Sequence, residues 1–290
     1  MTKLIQLLFT GLTVGATYSL AALGFSIIYN ASGVINFAQG EFLMLGGMIA
    51  VFLTMAGAPL LLAIVAAVAI TAIVGLLVEK FAIEPARGAD VTAIVIITIG
   101  VSNIIRGAIE ITLGKGAHAL PHFSGDRPIG FLGAAILPQS LWVMAATLLV
   151  VVVTGWFFSR TRLGKGMLAT SHNRMAAQLV GVDTERVLLA SFGLSAALGA
   201  IGGVLIAPIS TTSYDIGLML GLKGFVAATL GGLGSGMGVV AGGLLLGLLE
   251  TMTAGYVSSS YKDAVPFVLV LVILVFRPRG LFGLGPTTRV

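Results

Sequence analysis

Residues 60–78 read "LLLAIVAAVAITAIVGLLV". Nineteen residues pass without a charge, and the run approaches the roughly 20 apolar residues that cross about 30 Å of hydrocarbon as a helix. Val91 to Leu113, Leu141 to Phe158, Val187 to Ala207 and Val265 to Phe276 are comparable runs or need tilt and partners to span. A closed barrel is the alternative that satisfies backbone groups in lipid, but it alternates polar and apolar residues in strands of about ten, and these runs do not alternate. The composition agrees: 57% of the 290 residues are hydrophobic and 9% are charged. The expected fold is all-α, a polytopic membrane helix bundle of about eight to ten transmembrane helices, some of them broken or short.

The first hydrophobic run, Leu4 to Tyr29, is far longer than a signal-peptide core of about 7–15 residues and reads as a retained span. With no cysteine there is no disulfide, thiol nucleophile or thiolate metal site, and the three histidines are scattered. The net charge of +5 calls for no nucleic acid, because basic residues accumulate in the cytoplasmic loops of membrane proteins. Arg160, Arg162, Lys165, Arg174 and Arg186 place the loop at about 159–187 in the cytoplasm, with Lys80, Arg87 and the tail residues Arg277, Arg279 and Arg289 on the same side. The Gly- and Pro-rich loop at about 114–138 is then external. Four crossings, drawn as 187–207, 217–234, 238–255 and 264–276, return the tail to the cytoplasm. The count is nine spans in one membrane domain, 1–290, with the side of the N-terminus open.

Forty glycines punctuate these spans. Pairs four apart, Gly11/Gly15, Gly199/Gly203, Gly217/Gly221, Gly232/Gly236, Gly238/Gly242 and Gly243/Gly247, put small residues on one helix face and let backbones approach closely.

Polar residues at membrane depth are candidates for function, because a charge there is costly unless it faces protein or water. Asn36, Gln39 and Glu41 in "NFAQGE" lie beside Gly33 and Gly40, which suggests a kinked or unwound stretch lining a cavity, or a helix terminus at the interface. Arg106 and Glu110, four apart, can neutralise each other on one helix face. Lys223 and Glu250 stay ambiguous. In the basic loop, "SHNRMAAQLV" (171–180) is expected to form a helix of about three turns ended by Gly181, with Met175, Ala176, Leu179 and Val180 on one face. Such a helix buries its apolar face in the bilayer surface or in a partner's groove. "GGLGSGMG" (231–238) lacks the Lys-Ser/Thr of a phosphate loop and reads as a tight turn.

"GLTVGATYSLAALGFSIIYNASGVINFAQGEFLMLGG", "SHNRMAAQLVGVDTERVLLASFGLSAALGAIGGVL", "GLKGFVAATLGGLGSGMGVVAGGLLLGLLE" and "FRPRGLFG", in this order, resemble the permease subunits of ABC importers, specifically the branched-chain amino acid permease family. The resemblance implies a pore-forming subunit, not an enzyme, in the bacterial inner membrane. It implies a coupling helix seated in a cleft of an ATPase, with Asn173, Arg174, Met175, Ala176, Ala177 and Gly181 at that contact. The implied partners are a second permease, two cytoplasmic ATPases that use ATP and magnesium, and an external solute-binding protein; no cofactor is expected in this chain. Other readings are a permease for another small solute, such as urea or short amides, and an ion-coupled secondary transporter with Glu41 or Glu250 as relay.

Overall fold

A computed structural model describes residues 2–131, 133–277 and 280–282. Among these residues eleven α-helices follow in order: α1 (Thr2–Ser32), α2 (Gln39–Met55), α3 (Leu60–Val78), α4 (Val91–Leu113), α5 (Pro138–Arg160), α6 (Arg162–His172), α7 (Arg174–Leu179), α8 (Thr184–Ser210), α9 (Ile216–Gly231), α10 (Gly236–Tyr256) and α11 (Ala264–Phe276). Six are long and apolar enough to cross a membrane, and α2, α9 and α11 are shorter apolar helices. With α6 and α7 set aside as loop helices, nine run through the bundle, the number counted from the sequence. Arg279 and Arg289 lie outside the described residues.

The helices sort by burial. From Gly15 to Ile28 every residue of α1 is buried, and α1 packs most extensively on α10 and then on α8 and α9. By contrast α3, α4, α5 and α11 turn outward large apolar side chains such as Leu61, Ile104, Val152 and Val275. Lipid, being as apolar as leucine, does not drive helices together, so close packing must. Glycine makes it possible. A Cβ on Gly203 would overlap the Leu43 carbonyl of α2, and one on Gly46 would overlap the Ala200 backbone of α8. Gly11 and Gly15 meet Gly247, Gly243 and their neighbours across the α1–α10 contact, and Gly217 and Gly221 meet Gly40. The Gly232/Gly236 pair departs from expectation: Gly232 ends α9 with φ 101° and Gly236 begins α10, so the two form part of a turn and share no helix face.

The ends of the bundle differ in charge. At one end lie the loop after α3, the α6–α7 segment and the α9–α10 turn; Arg87 bonds Glu79 at 2.8 Å and Glu185 at 2.7 Å, tying the first loop to the start of α8. At the other end Gln6 exchanges two 2.9 Å hydrogen bonds with Ala135, and His118 pairs with Thr212 across an isolated bridge. Ala135 belongs to a small antiparallel hairpin, β1 (Ile129–Phe131) and β2 (Ala134–Ile136), in the loop between α4 and α5. The N-terminus therefore shares the side of that loop.

Cysteine-scanning accessibility checks this arrangement, and the lack of native cysteine keeps the background low. Thr2→Cys and Ser124→Cys should react with an impermeant thiol reagent from one side of sealed vesicles, and Ser171→Cys from the opposite side only. Gly203→Leu should lower thermal stability in detergent by about 1–3 kcal/mol or more through overpacking against Leu43.

Candidate functional site

The chain unwinds between α1 and α2. Gly33 takes φ 72°, and helical backbone resumes only at Gln39. Unwound backbone at membrane depth is tolerated where its polar groups find partners. Here the Phe37 amide donates to Thr98 Oγ1 of α4 at 3.1 Å, and the Ala38 amide donates to the Asn36 side chain at 3.0 Å. The polar residues of "NFAQGE" thus hold a break, as their glycine-flanked pattern suggests.

The three residues take different positions. Gln39 is fully buried, with its side-chain oxygen 2.6 Å from the Ser195 hydroxyl of α8 and its amide donating to the Ser195 carbonyl. Glu41, also buried, accepts from Arg106 at 2.6 Å and from Ser102 at 2.8 Å, both on α4. Of the three, Asn36 lines an open cavity of about 200 Å³, which also receives Ser32, Arg87, Thr98 and Arg174. That cavity brings together two residues from separate stretches of sequence, Asn36 of the break and Arg174 of the basic loop.

Two charge pairings differ from expectation or were left open by it. Arg106 does not neutralise Glu110. It reaches across to Glu41, while Glu110 bonds Lys115 at 2.8 Å near the helix end. Glu41 sits deep, where an unpaired carboxylate is disfavoured, whereas Glu110 has a cation available at the loop; the buried acid therefore takes the arginine. Lys223 of α9 meets Glu250 of α10 at 2.7 Å and Asp263 at 2.6 Å, and the Tyr18 hydroxyl donates to the other oxygen of Glu250 at 2.8 Å. Its hydrogen bond from Lys223 holds the Asp263 carboxyl below the ordinary carboxylate range, against a smaller opposing effect of burial. A lone base in α9 and a lone acid in α10, consecutive spans, were the available signal for the Lys223–Glu250 pair.

The basic loop folds as two helices where one was expected. Asn173 interrupts it: its backbone is extended, with φ −158°, and its side chain accepts from the Ala176 amide at 3.0 Å. Asparagine competes in this way with continued helix and favours the N-cap. The preceding α6 anchors the segment, with Met167 buried and Gly164 set against the end of α5. After α7, Gly181 at φ 85° closes a Schellman cap, its amide donating to the Gln178 carbonyl and that of Val182 to Ala177. Ala177 is buried within the chain, so its methyl faces inward and does not form an outer surface. Met175, Leu179 and Val180 are 73%, 83% and 78% exposed, a bare apolar tip on a rigidly capped turn. Arg174 and Ala176 are exposed beside it.

A bundle of this kind, with a polar break, buried ion pairs and a capped helix at its basic end, is a multi-pass membrane protein. A family model described as "Branched-chain amino acid transport system / permease component" matches residues 7–274. The high-affinity branched-chain amino acid transport system permease protein LivH of Escherichia coli (strain K12) is 34% identical, covering 96% of this chain and 95% of its own. The corresponding protein BraD of Pseudomonas aeruginosa has the same identity and coverage. More distantly, the ribose import permease protein RbsC of Escherichia coli (strain K12) is 25% identical over 92% of this chain and 84% of its own. The chain belongs to the branched-chain amino acid transport permease family. It is a pore-forming permease component of an ABC importer, a transport protein of the inner membrane and not an enzyme, and it works with ATPase and binding-protein partners.

The Glu41–Arg106 pair has a measurable consequence. Arg106→Met strands the buried Glu41 carboxylate and should cost about 3–5 kcal/mol of stability. Adding Glu41→Gln should recover most of the loss in a thermal unfolding series, whereas independent sites would add their costs.

Proposed function

We propose that this chain imports branched-chain aliphatic amino acids and receives its driving force through the α7 turn. The observation that carries the coupling reading is the exposed apolar tip of Met175, Leu179 and Val180 on a turn capped at both ends. A six-residue helix is too short to hold itself in water. Asn173 and Gly181 therefore preset a shape that a partner can grip without first ordering it. The occupant is an ATPase subunit, its groove covering the tip on the basic, cytoplasmic side.

Transmission to the pathway is short. Arg174 leads into α7 and shares the 200 Å³ cavity with Asn36, so displacement of the turn bears directly on the α1–α2 break. ATP-driven closure of two ATPases would shift two permeases between states that open to opposite sides, a population shift powered by the partners. The second permease is a copy of this chain or a close relative. The external binding protein delivers the amino acid to the end bearing the N-terminus and the β1–β2 hairpin. Pairing of Glu41 with Arg106 and of Glu250 with Lys223 gives each candidate relay carboxylate a fixed counter-charge, which favours ATP coupling over an ion-coupled carrier.

Substitution at the turn tests the coupling. Gly181→Val forces a β-branched residue into positive φ, and Leu179→Arg places a charge on the tip. Each variant should insert and fold, yet retain at least tenfold less ATPase on affinity purification and lose uptake to the same degree. Wild-type ATPase retention and uptake in both would refute the reading.

A further inference from the structure

Between α4 and α9 the helices part to leave a cavity of about 300 Å³. Phe37, Leu218 and Leu222 supply an apolar wall, and Ser102, Asn103 and Arg106 supply a polar one. That volume is at the lower end of the roughly 300–1,000 Å³ of small-molecule sites, which likewise combine apolar walls with a few convergent polar groups. It suits a single amino acid better than a peptide or an oligosaccharide.

Asn103 fixes what this cleft can face. It is the thirteenth of the 23 residues of α4, about 18 Å from the first at 1.5 Å per residue, and so near the middle of the membrane. Its side chain is exposed and makes no hydrogen bond among the described residues. A bare carboxamide turned into hydrocarbon at that depth is strongly disfavoured, whereas one lining a wet passage is not. One turn further along, Arg106 gives Glu41 one Nη2 contact and keeps its Nε buried without a partner, while the side chain as a whole stays 21% exposed. An arginine has five N–H donors, so most remain for a second acceptor. Glu41 already balances its charge. The cleft as a whole therefore presents no net charge but has donors at one point and oxygens beside it.

We propose that this cleft is a transit subsite for a zwitterionic aliphatic amino acid. The carboxylate takes the free guanidinium edge of Arg106. The ammonium takes the side-chain oxygens of Asn103 and Ser102, and the branched side chain packs on Phe37, Leu218 and Leu222. A neutral site with separated donors and acceptors matches a zwitterion, where a net positive site would select a free anion. The subsite rests on the substrate reading given above and adds where in this chain the substrate is held.

Photolabelling tests it on the full complex of permeases, ATPases and binding protein in vesicles. During turnover with a diazirine analogue of leucine, irradiation should attach label within 99–106 and 218–222, mapped by mass spectrometry, and excess leucine should reduce that label at least tenfold. Leu222→Trp fills the cleft. It should remove the label and cut leucine uptake at least tenfold, while the ATPases still co-purify and the loaded binding protein still stimulates hydrolysis. Label confined to other segments, label that leucine does not compete, or full uptake by an assembled Leu222→Trp complex overturns the subsite; should that variant fail to assemble, the wild-type map decides. Wild-type uptake that depends on ATP, without label in the cleft, refutes the subsite alone, whereas no leucine uptake by the wild-type complex refutes the substrate reading beneath it.

Discussion

Backbone-to-backbone approach of the central helices is the constraint on which the rest of this structure depends. In lipid, apolar side chains gain little by leaving the solvent, so association relies on contact at short range and on the few polar groups that find partners. α1 lies against α10 through Gly11, Gly15, Gly243 and Gly247, and α2 lies against α8 and α9 through Gly46, Gly203, Gly40 and Gly217. At each of these glycines a backbone atom of the facing helix lies within 3.0 Å of where a Cβ would stand. The bonds between Gln39 and Ser195 follow from the α2–α8 approach, because backbones this close bring those polar groups within bonding distance across the two helices.

Upon that frame the polar groups divide into two kinds. Some lock helices: Gln39 to α8, Glu41 to α4, and Lys223 to α10 and the start of α11. Others keep free hydrogen-bonding capacity and face cavities, as Asn36, Asn103 and Arg106 do. A transport subunit needs both, since alternating access requires rigid bodies and a passage that stays wet between them. The α1–α2 break lies where the two meet, anchored by Gln39 and Thr98 yet adjoining the cavity that receives Arg174.

The long spans were legible in the sequence because lipid demands uninterrupted apolar length, and nine helices among the described residues correspond to the nine runs counted there. Gly181 was legible for a local reason: a glycine directly after a helix-forming run usually closes it with positive φ, as it does here. Partners across helices were not. Arg106 with Glu110 satisfied helical spacing, but the choice of Glu41 depends on a tertiary contact that spacing within one helix does not encode. The two-helix form of the basic loop hung on Asn173, whose side chain can either sit on a helix or cap the next one. The inward turn of Ala177 depends on how α7 leans on the bundle, and the β1–β2 hairpin arises in a Gly- and Pro-rich loop with little periodicity. Of the candidate site, the break and the capped turn could be read from residue types, but the cavity that links them could not.

If this chain is the ATP-driven passage of a larger assembly, its transport runs without an ion gradient. Its most direct measurement is uptake of radiolabelled leucine into vesicles holding the full complex, with ATP inside and ionophores collapsing proton and sodium gradients. Uptake should require ATP and the loaded binding protein and be unchanged by the ionophores. Uptake by this chain alone, driven by an ion gradient and abolished by the ionophores, would contradict it.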